Sequence, residues 1–134
     1  MNYWLVKSEP SEYSYDDLVR DKSTFWNGVR NYTARNNLKN MKVGDQVLFY
    51  HSVNEKAVVG ISKVVKEYYQ DPTTDDERWV VVDLAPQKKL NNPVTLARIK
   101  AESGLSEIAL VRQSRLSVMP LEPAAFHKIV EMSN

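Results

Sequence analysis

Phe25 to Asn37 gathers two arginines, four side-chain amides and three aromatic rings around a single glycine. Such a set suits a nucleotide. An aromatic plane stacks on a base, worth about 1–3 kcal/mol per base, and Trp26 can supply that plane. The amides of Asn27 and Asn31 both donate and accept, so they can read a base edge. Arg30 and Arg35 carry the two-pronged fork that holds phosphate. A helix start near Asn31 adds backbone N–H groups for an anion. The same residues also fit a plainer arrangement, with Trp26 in the core and the asparagines as ordinary caps. Three more clusters stand out. Lys7-Ser8-Glu9-Pro10 ends a strand, where sites are often built but turns are also common. In Phe49-Tyr50-His51-Ser52, Tyr50 and Ser52 share one strand face, Phe49 and His51 the other. Arg112-Gln113-Ser114-Arg115 is either a phosphate contact or a solvated connection.

Catalytic chemistry finds little footing. There are four glycines, none clustered, so no phosphate-cradling loop exists. No G-x-S-x-G or H-E-x-x-H occurs, and the absence of cysteine removes thiolate nucleophiles, thiolate metal sites and disulfides together. The two histidines, His51 and His127, are too far apart for a local metal motif. His51 and Ser52 are neighbours, and neighbours on a strand point to opposite faces. The acidic run Asp75-Asp76-Glu77 reads as a solvated surface. The expectation is no enzyme, no cofactor and no metal. A protein-interaction module, or an enzyme working through His51, stands as the alternative.

The elements that would hold these groups follow from local signals. Tyr3 to Lys7 is aromatic and branched, a strand. Ser14 with Asp17 forms a capping box for a helix from about Tyr15 to Asp21. Asn31 caps a second helix, with Ala34, Leu38 and Met41 on one stripe. Val43-Gly44-Asp45 turns into a strand, Gln46 to His51. A long strand runs from Ala57 to about Tyr69, its Gly60 marking a bulge or a close backbone approach. Asp71 to Asp76 is an acidic loop, and Trp79 to Leu84 is strongly strand-forming. Thr95 to Ser103 reads as a helix stopped by Gly104, and Leu105 to Val111 is ambiguous between helix and strand. Leu116 to Met119 is a last strand closed by Pro120. Pro123 opens a C-terminal helix with Phe126, Ile129 and Val130 on its apolar stripe. Strands and helices do not alternate regularly, so the pattern is α+β around a mostly antiparallel sheet.

Composition bounds the rest. At 134 residues the chain is expected to form one domain over 1–134. It carries 18 basic and 17 acidic side chains, a net +1, which argues against non-specific coating of duplexes. Charge is nonetheless segmental: residues 25–69 hold seven basic groups against three acidic, residues 70–85 one against five. The longest uncharged stretch, Gln46 to Asn54, has nine residues, against about 18 for a membrane span. The first residues lack the regions of a secretory signal. The default expectation is a cytoplasmic protein, not membrane-bound, and a monomer.

The four clusters, in this order, resemble the EVE domain family of the PUA-like superfamily. The stretches that carry the likeness are Tyr3–Pro10, Trp26–Asn36, Met41–Asp45, Phe49–Ser52 and Arg112–Val118. The resemblance implies a PUA-like, curved, mostly antiparallel β-barrel with helices packed on its outside. Related YTH and SRA domains take one modified base into a pocket, and the EVE domain is expected to do the same for DNA or RNA. In YTH relatives a lysine-serine pair ends the first strand and a following tryptophan joins an aromatic cage; Lys7-Ser8 and Trp26 occupy similar places. The implied pocket is Lys7, Ser8 and Trp26, with Asn27, Val29, Asn31, Tyr50, His51 and Ser52 as neighbours. Arg30, Arg35, Arg112 and Arg115 would follow the phosphates. On this reading Trp26→Ala abolishes modified-base preference with the fold largely intact, and loss of folding favours a core Trp26.

Overall fold

The computed structural model describes all 134 residues. The order is β1 (Tyr3–Ser8), α1 (Tyr15–Asp21), β2 (Thr24–Phe25), α2 (Tyr32–Asn40), β3 (Gln46–His51), β4 (Ala57–Gln70), β5 (Val80–Thr95), α3 (Leu96–Ala101), α4 (Ala109–Arg112), β6 (Val118–Leu121) and α5 (Pro123–Met132). All six strands join one sheet in the order β2-β5-β4-β3-β1-β6. β1 and β3 are parallel, and every other pairing is antiparallel. A cluster of 34 buried residues fills the space between sheet and helices. No helix is long and apolar enough to cross a membrane.

The mixed α+β class matches the sequence reading, but the barrel does not close. β2 and β6 end the sheet without pairing to each other. The reason lies at the edges. Lys7 donates to the Ser117 carbonyl, so alternate residues of β6 turn their backbone groups outward. Pro120 is one of them and offers no N–H there. The Val118 carbonyl on that edge is taken instead by the Asn37 amide of α2, at 2.7 Å. A helix thus covers the edge that a closing strand would need. For the same reason Pro120 does not end β6, which continues to Leu121.

Local signals built the helix starts as expected. Ser14 and Asp17 exchange both capping-box hydrogen bonds, at 3.0 and 2.9 Å. Asn31 accepts from the Ala34 N–H at 2.9 Å, and Pro123 sits in the first turn of α5. Gly60 lies at a register shift of β4. A Cβ there would stand 2.4 Å from the Tyr15 ring, so the missing side chain lets α1 dock on the sheet. Tyr15 is buried and its hydroxyl donates to the Ile61 carbonyl at 2.6 Å.

β5 is the main departure. It runs on through Pro86, Asn91, Asn92 and Pro93 to Thr95, residues that favour turns. Val58 faces Val94 while Gly60 faces Lys89, so Leu90 to Pro93 bulge out opposite Val59 alone. Asn91, Asn92 and Pro93 thus sit where the ladder asks nothing of them, whereas Pro86 stands opposite Ser62, next to a second register shift. Thr95 then caps a helix that stops at Ala101, short of Ser103. The ambiguous stretch yields only the short α4, and the two-residue β2 carried no signal of its own.

Candidate nucleic-acid site

A cavity of about 760 Å³ opens at the C-terminal end of β1. Separate chain segments meet there around the end of β1, which lies between β3 and the edge strand β6. Lys7 and Ser8 end that strand, the Glu9–Tyr13 turn follows, and the loop after β2 brings Trp26 to Arg30 across the opening. Ser52, Ser114 and Ser117 complete the floor and side.

Aromatic rings make one wall. Trp26 is 8% exposed and meets Phe49 and Tyr13 edge-on, with centroids 5.4 and 6.3 Å away. Its indole N–H has no partner in the protein and is not sealed from solvent. Phe25, 41% exposed, stands at the rim. The polar groups are partly committed. Ser8 Oγ donates to the Tyr13 carbonyl at 2.6 Å, which leaves the cavity an acceptor. Lys7 Nζ donates to the Ser114 carbonyl at 2.9 Å, and burial lowers its pKa. A lysine has three donors, so two remain free for a ligand.

The Trp26–Arg30 loop is held from outside. The Trp26 N–H bonds the Val82 carbonyl at 2.8 Å, and Gly28 adopts φ 80°, a region that suits glycine. Asp71, fully buried, accepts from the Gly28 N–H at 3.3 Å and from Arg30 Nη1 at 3.1 Å. Its other oxygen takes the Thr73 N–H and hydroxyl, at 2.8 and 2.5 Å. Burial pushes the Asp71 carboxyl up, yet the hydrogen bonds from Thr73, Gly28 and Arg30 together hold it below the ordinary value.

Of the expected pocket set, Lys7, Ser8, Trp26, Asn27, Val29 and Ser52 line this cavity, and so does Arg30. Asn31, Tyr50 and His51 do not. Asn31 spends its side-chain oxygen on the cap of α2. Tyr50 is buried, on the opposite face of β3 from Phe49. His51 Nε2 accepts from the Tyr15 N–H at 3.1 Å, and Nδ1 meets Glu55 Oε1 at 2.7 Å. The tautomer is assigned from these partners: the proton sits on Nδ1. Nε2 therefore anchors α1 and Nδ1 holds Glu55 of the β3–β4 turn, which leaves no free nitrogen for acid–base work. His51→Ala is expected to cost about 1–2 kcal/mol in urea unfolding through the lost anchor, with oligonucleotide binding unchanged in the folded variant. Loss of binding there would put His51 back in the site.

The arginines divide. Arg112 and Arg115 line a second hollow of about 340 Å³ together with Asn31 and Thr33 at the start of α2. Ser114 lines both hollows, so they are neighbours. Arg112 pairs with Glu107, whereas Arg115 forms no ion pair. Arg35 lines neither hollow; it lies over the Tyr32 ring at 5.0 Å and bonds Asn36.

Residues 2–132 match the EVE domain. The chain belongs to the EVE domain family. A protein of Agrobacterium tumefaciens superposes at TM-score 0.97 and 38% identity, covering 100% of this chain and 94% of that one. Human THYN1, solved in complex with 5-methylcytosine-containing DNA, superposes at TM-score 0.93 and 30% identity, over 100% and 98% of the two chains. Chicken thymocyte nuclear protein 1 is 35% identical over 97% of this chain and 68% of its own length. The cavity also has lining residues outside the expected pocket set: Glu9, Phe25 and Ser114 from the clusters named above, and Glu12, Tyr13, Thr24 and Ser117. Most stand beside residues already singled out. Asp71 is different, since it holds the site from 43 positions away in an acidic loop.

Proposed function

We propose that this EVE domain, acting as one domain over 1–134, is a non-enzymatic DNA-binding module that accommodates one modified base in the cavity at the end of β1. One observation carries the reading: the cavity joins an aromatic wall at Trp26 to unspent donors on Lys7, in a chain whose human relative was solved with 5-methylcytosine DNA. Withdrawing a base from its stack costs a few kcal/mol, which stacking and edge hydrogen bonds must return. Lys7, Ser8, Trp26, Asn27, Val29 and Ser52 form the base cavity. A buried methyl adds about 0.8 kcal/mol, or roughly fourfold. Larger discrimination needs an added hydrogen bond or a clash. Arg112 and Arg115, in the adjoining hollow, receive a neighbouring phosphate, with Arg30 and Arg35 nearer the rim. The non-enzymatic reading is supported by the engaged nitrogens of His51. The vertebrate relatives are named nuclear proteins, so the cytoplasmic expectation gives way to a compartment that holds DNA. RNA is the competing nucleic acid, distinguished by its 2′-hydroxyl.

Fluorescence anisotropy at fixed, moderate salt tests this. Matched DNA and RNA probes would carry a plain base, methylated or hydroxymethylated cytosine, or methylated adenine. Preference for one modified DNA probe, fourfold or more, is the expected result. Equal and steeply salt-dependent binding to all probes would leave only a phosphate surface. Arg115→Ala is expected to weaken all DNA probes alike and to reduce the log–log salt slope by about 1. An unchanged slope would remove Arg115 from the backbone contacts.

A further inference from the structure

We infer that the carboxylates of Glu9 and Glu12 make the cavity selective for a base bearing an exocyclic amino group, so that 5-methylcytosine enters and thymine is turned away. The inference rests on the reading that this cavity takes a base. Four charged side chains line it: Lys7, Glu9, Glu12 and Arg30. Arg30 is neutralised by Asp71, and Lys7 is tied to the Ser114 carbonyl. Glu9 and Glu12 face the cavity with no ion pair. Their position is set by the turn that carries them. The Glu12 and Tyr13 N–H groups both bond the Glu9 carbonyl, at 2.9 and 2.8 Å, and Ser8 Oγ bonds the Tyr13 carbonyl.

An ionised carboxylate only accepts hydrogen bonds. Beside DNA it also repels phosphate, so both residues weaken backbone-driven binding. They favour a ligand only where it presents N–H. Cytosine does so through its 4-amino group, whereas thymine places a carbonyl oxygen at that position. The free donors of Lys7 complement the ring acceptors of cytosine, and against thymine they meet the N3–H instead. 5-Methylcytosine and thymine carry the same ring methyl, so only the group at position 4 and the N3 proton that goes with it separate them. The difference is an unfavourable contact as well as a lost bond, which discriminates more than methyl burial does.

The test uses short DNA duplexes with the probed nucleotide opposite an abasic site, so that no pairing energy separates the probes. 5-Methylcytosine, cytosine, thymine and an abasic residue are compared by anisotropy. The wild-type protein is expected to bind thymine at least tenfold more weakly than 5-methylcytosine. In the E9Q/E12Q double variant that gap should fall below threefold, because a glutamine amide can turn its NH₂ toward the thymine oxygen. Preference for 5-methylcytosine over cytosine should survive. Both side chains are exposed, so the variant is expected to fold; a circular dichroism spectrum checks this. Wild-type binding of thymine within threefold of 5-methylcytosine, with preference over cytosine and the abasic probe intact, would overturn the inference and leave the base-pocket reading standing. So would an undiminished gap in the double variant. No preference for any base over the abasic probe would overturn both.

Discussion

Trp26→Ala is expected to unfold the protein before it blinds it, with a loss of about 3–5 kcal/mol in urea unfolding. The indole is 92% covered, as its 8% exposure implies, and its ring edges meet Phe49 and Tyr13. Phe49 in turn contacts Tyr15, whose ring fills the gap above Gly60. Removing the indole therefore opens a cavity between the base site and the seat of α1. The sequence-based expectation of an intact fold does not survive this packing. Trp26→Phe is the better probe of binding. It keeps an aromatic ring against Phe49 but deletes the unpartnered indole N–H and part of the stacking plane. We expect it to fold and to bind the favoured modified oligonucleotide at least threefold more weakly. A Trp26→Ala variant within 1 kcal/mol of wild type would show that the indole is a pocket wall and little else.

Removing Asp71 should be nearly as costly, for an electrostatic reason. Its carboxylate joins two parts of the chain through four hydrogen bonds, from Gly28, Arg30 and both donors of Thr73. Arg30 and Thr73 reach solvent and can be rehydrated, so we expect Asp71→Ala to cost about 2–3 kcal/mol. Base binding should weaken as well, since the Trp26–Arg30 loop loses its outer anchor. The pH dependence has a definite sign. The folded Asp71 carboxyl lies below its ordinary value of 3.8. Its contribution is therefore fully present above pH 3.8, and it is lost as pH falls through the lower, folded value. Asp71→Asn removes this group from the titration. Unfolding free energy measured from pH 7 downward should fall less steeply below pH 4 in Asp71→Asn than in wild type. Parallel curves would show that the carboxylate is not held in its charged form.

The helix starts were legible because capping acts over three or four residues. Ser14 with Asp17, Asn31 with Ala34, and Pro123 all act within one turn, so neighbours in sequence are neighbours in space. Gly60 was legible for a related reason: a lone glycine inside a long strand needs a local cause. The family was readable too, since Lys7-Ser8, the Trp26 block and the Arg112 block stand in a fixed order along the chain. Where a residue spends its hydrogen bonds was not readable. His51 looked like chemistry until Tyr15 and Glu55 were seen to take both nitrogens. Asp71 read only as the start of an acidic loop, yet it is fully buried beneath the loop that carries Trp26. Sheet closure, the bulge of β5 and the two-residue β2 likewise depend on partners far along the chain. Residue type limits what a side chain can do; burial and long-range partners determine which of those things it does.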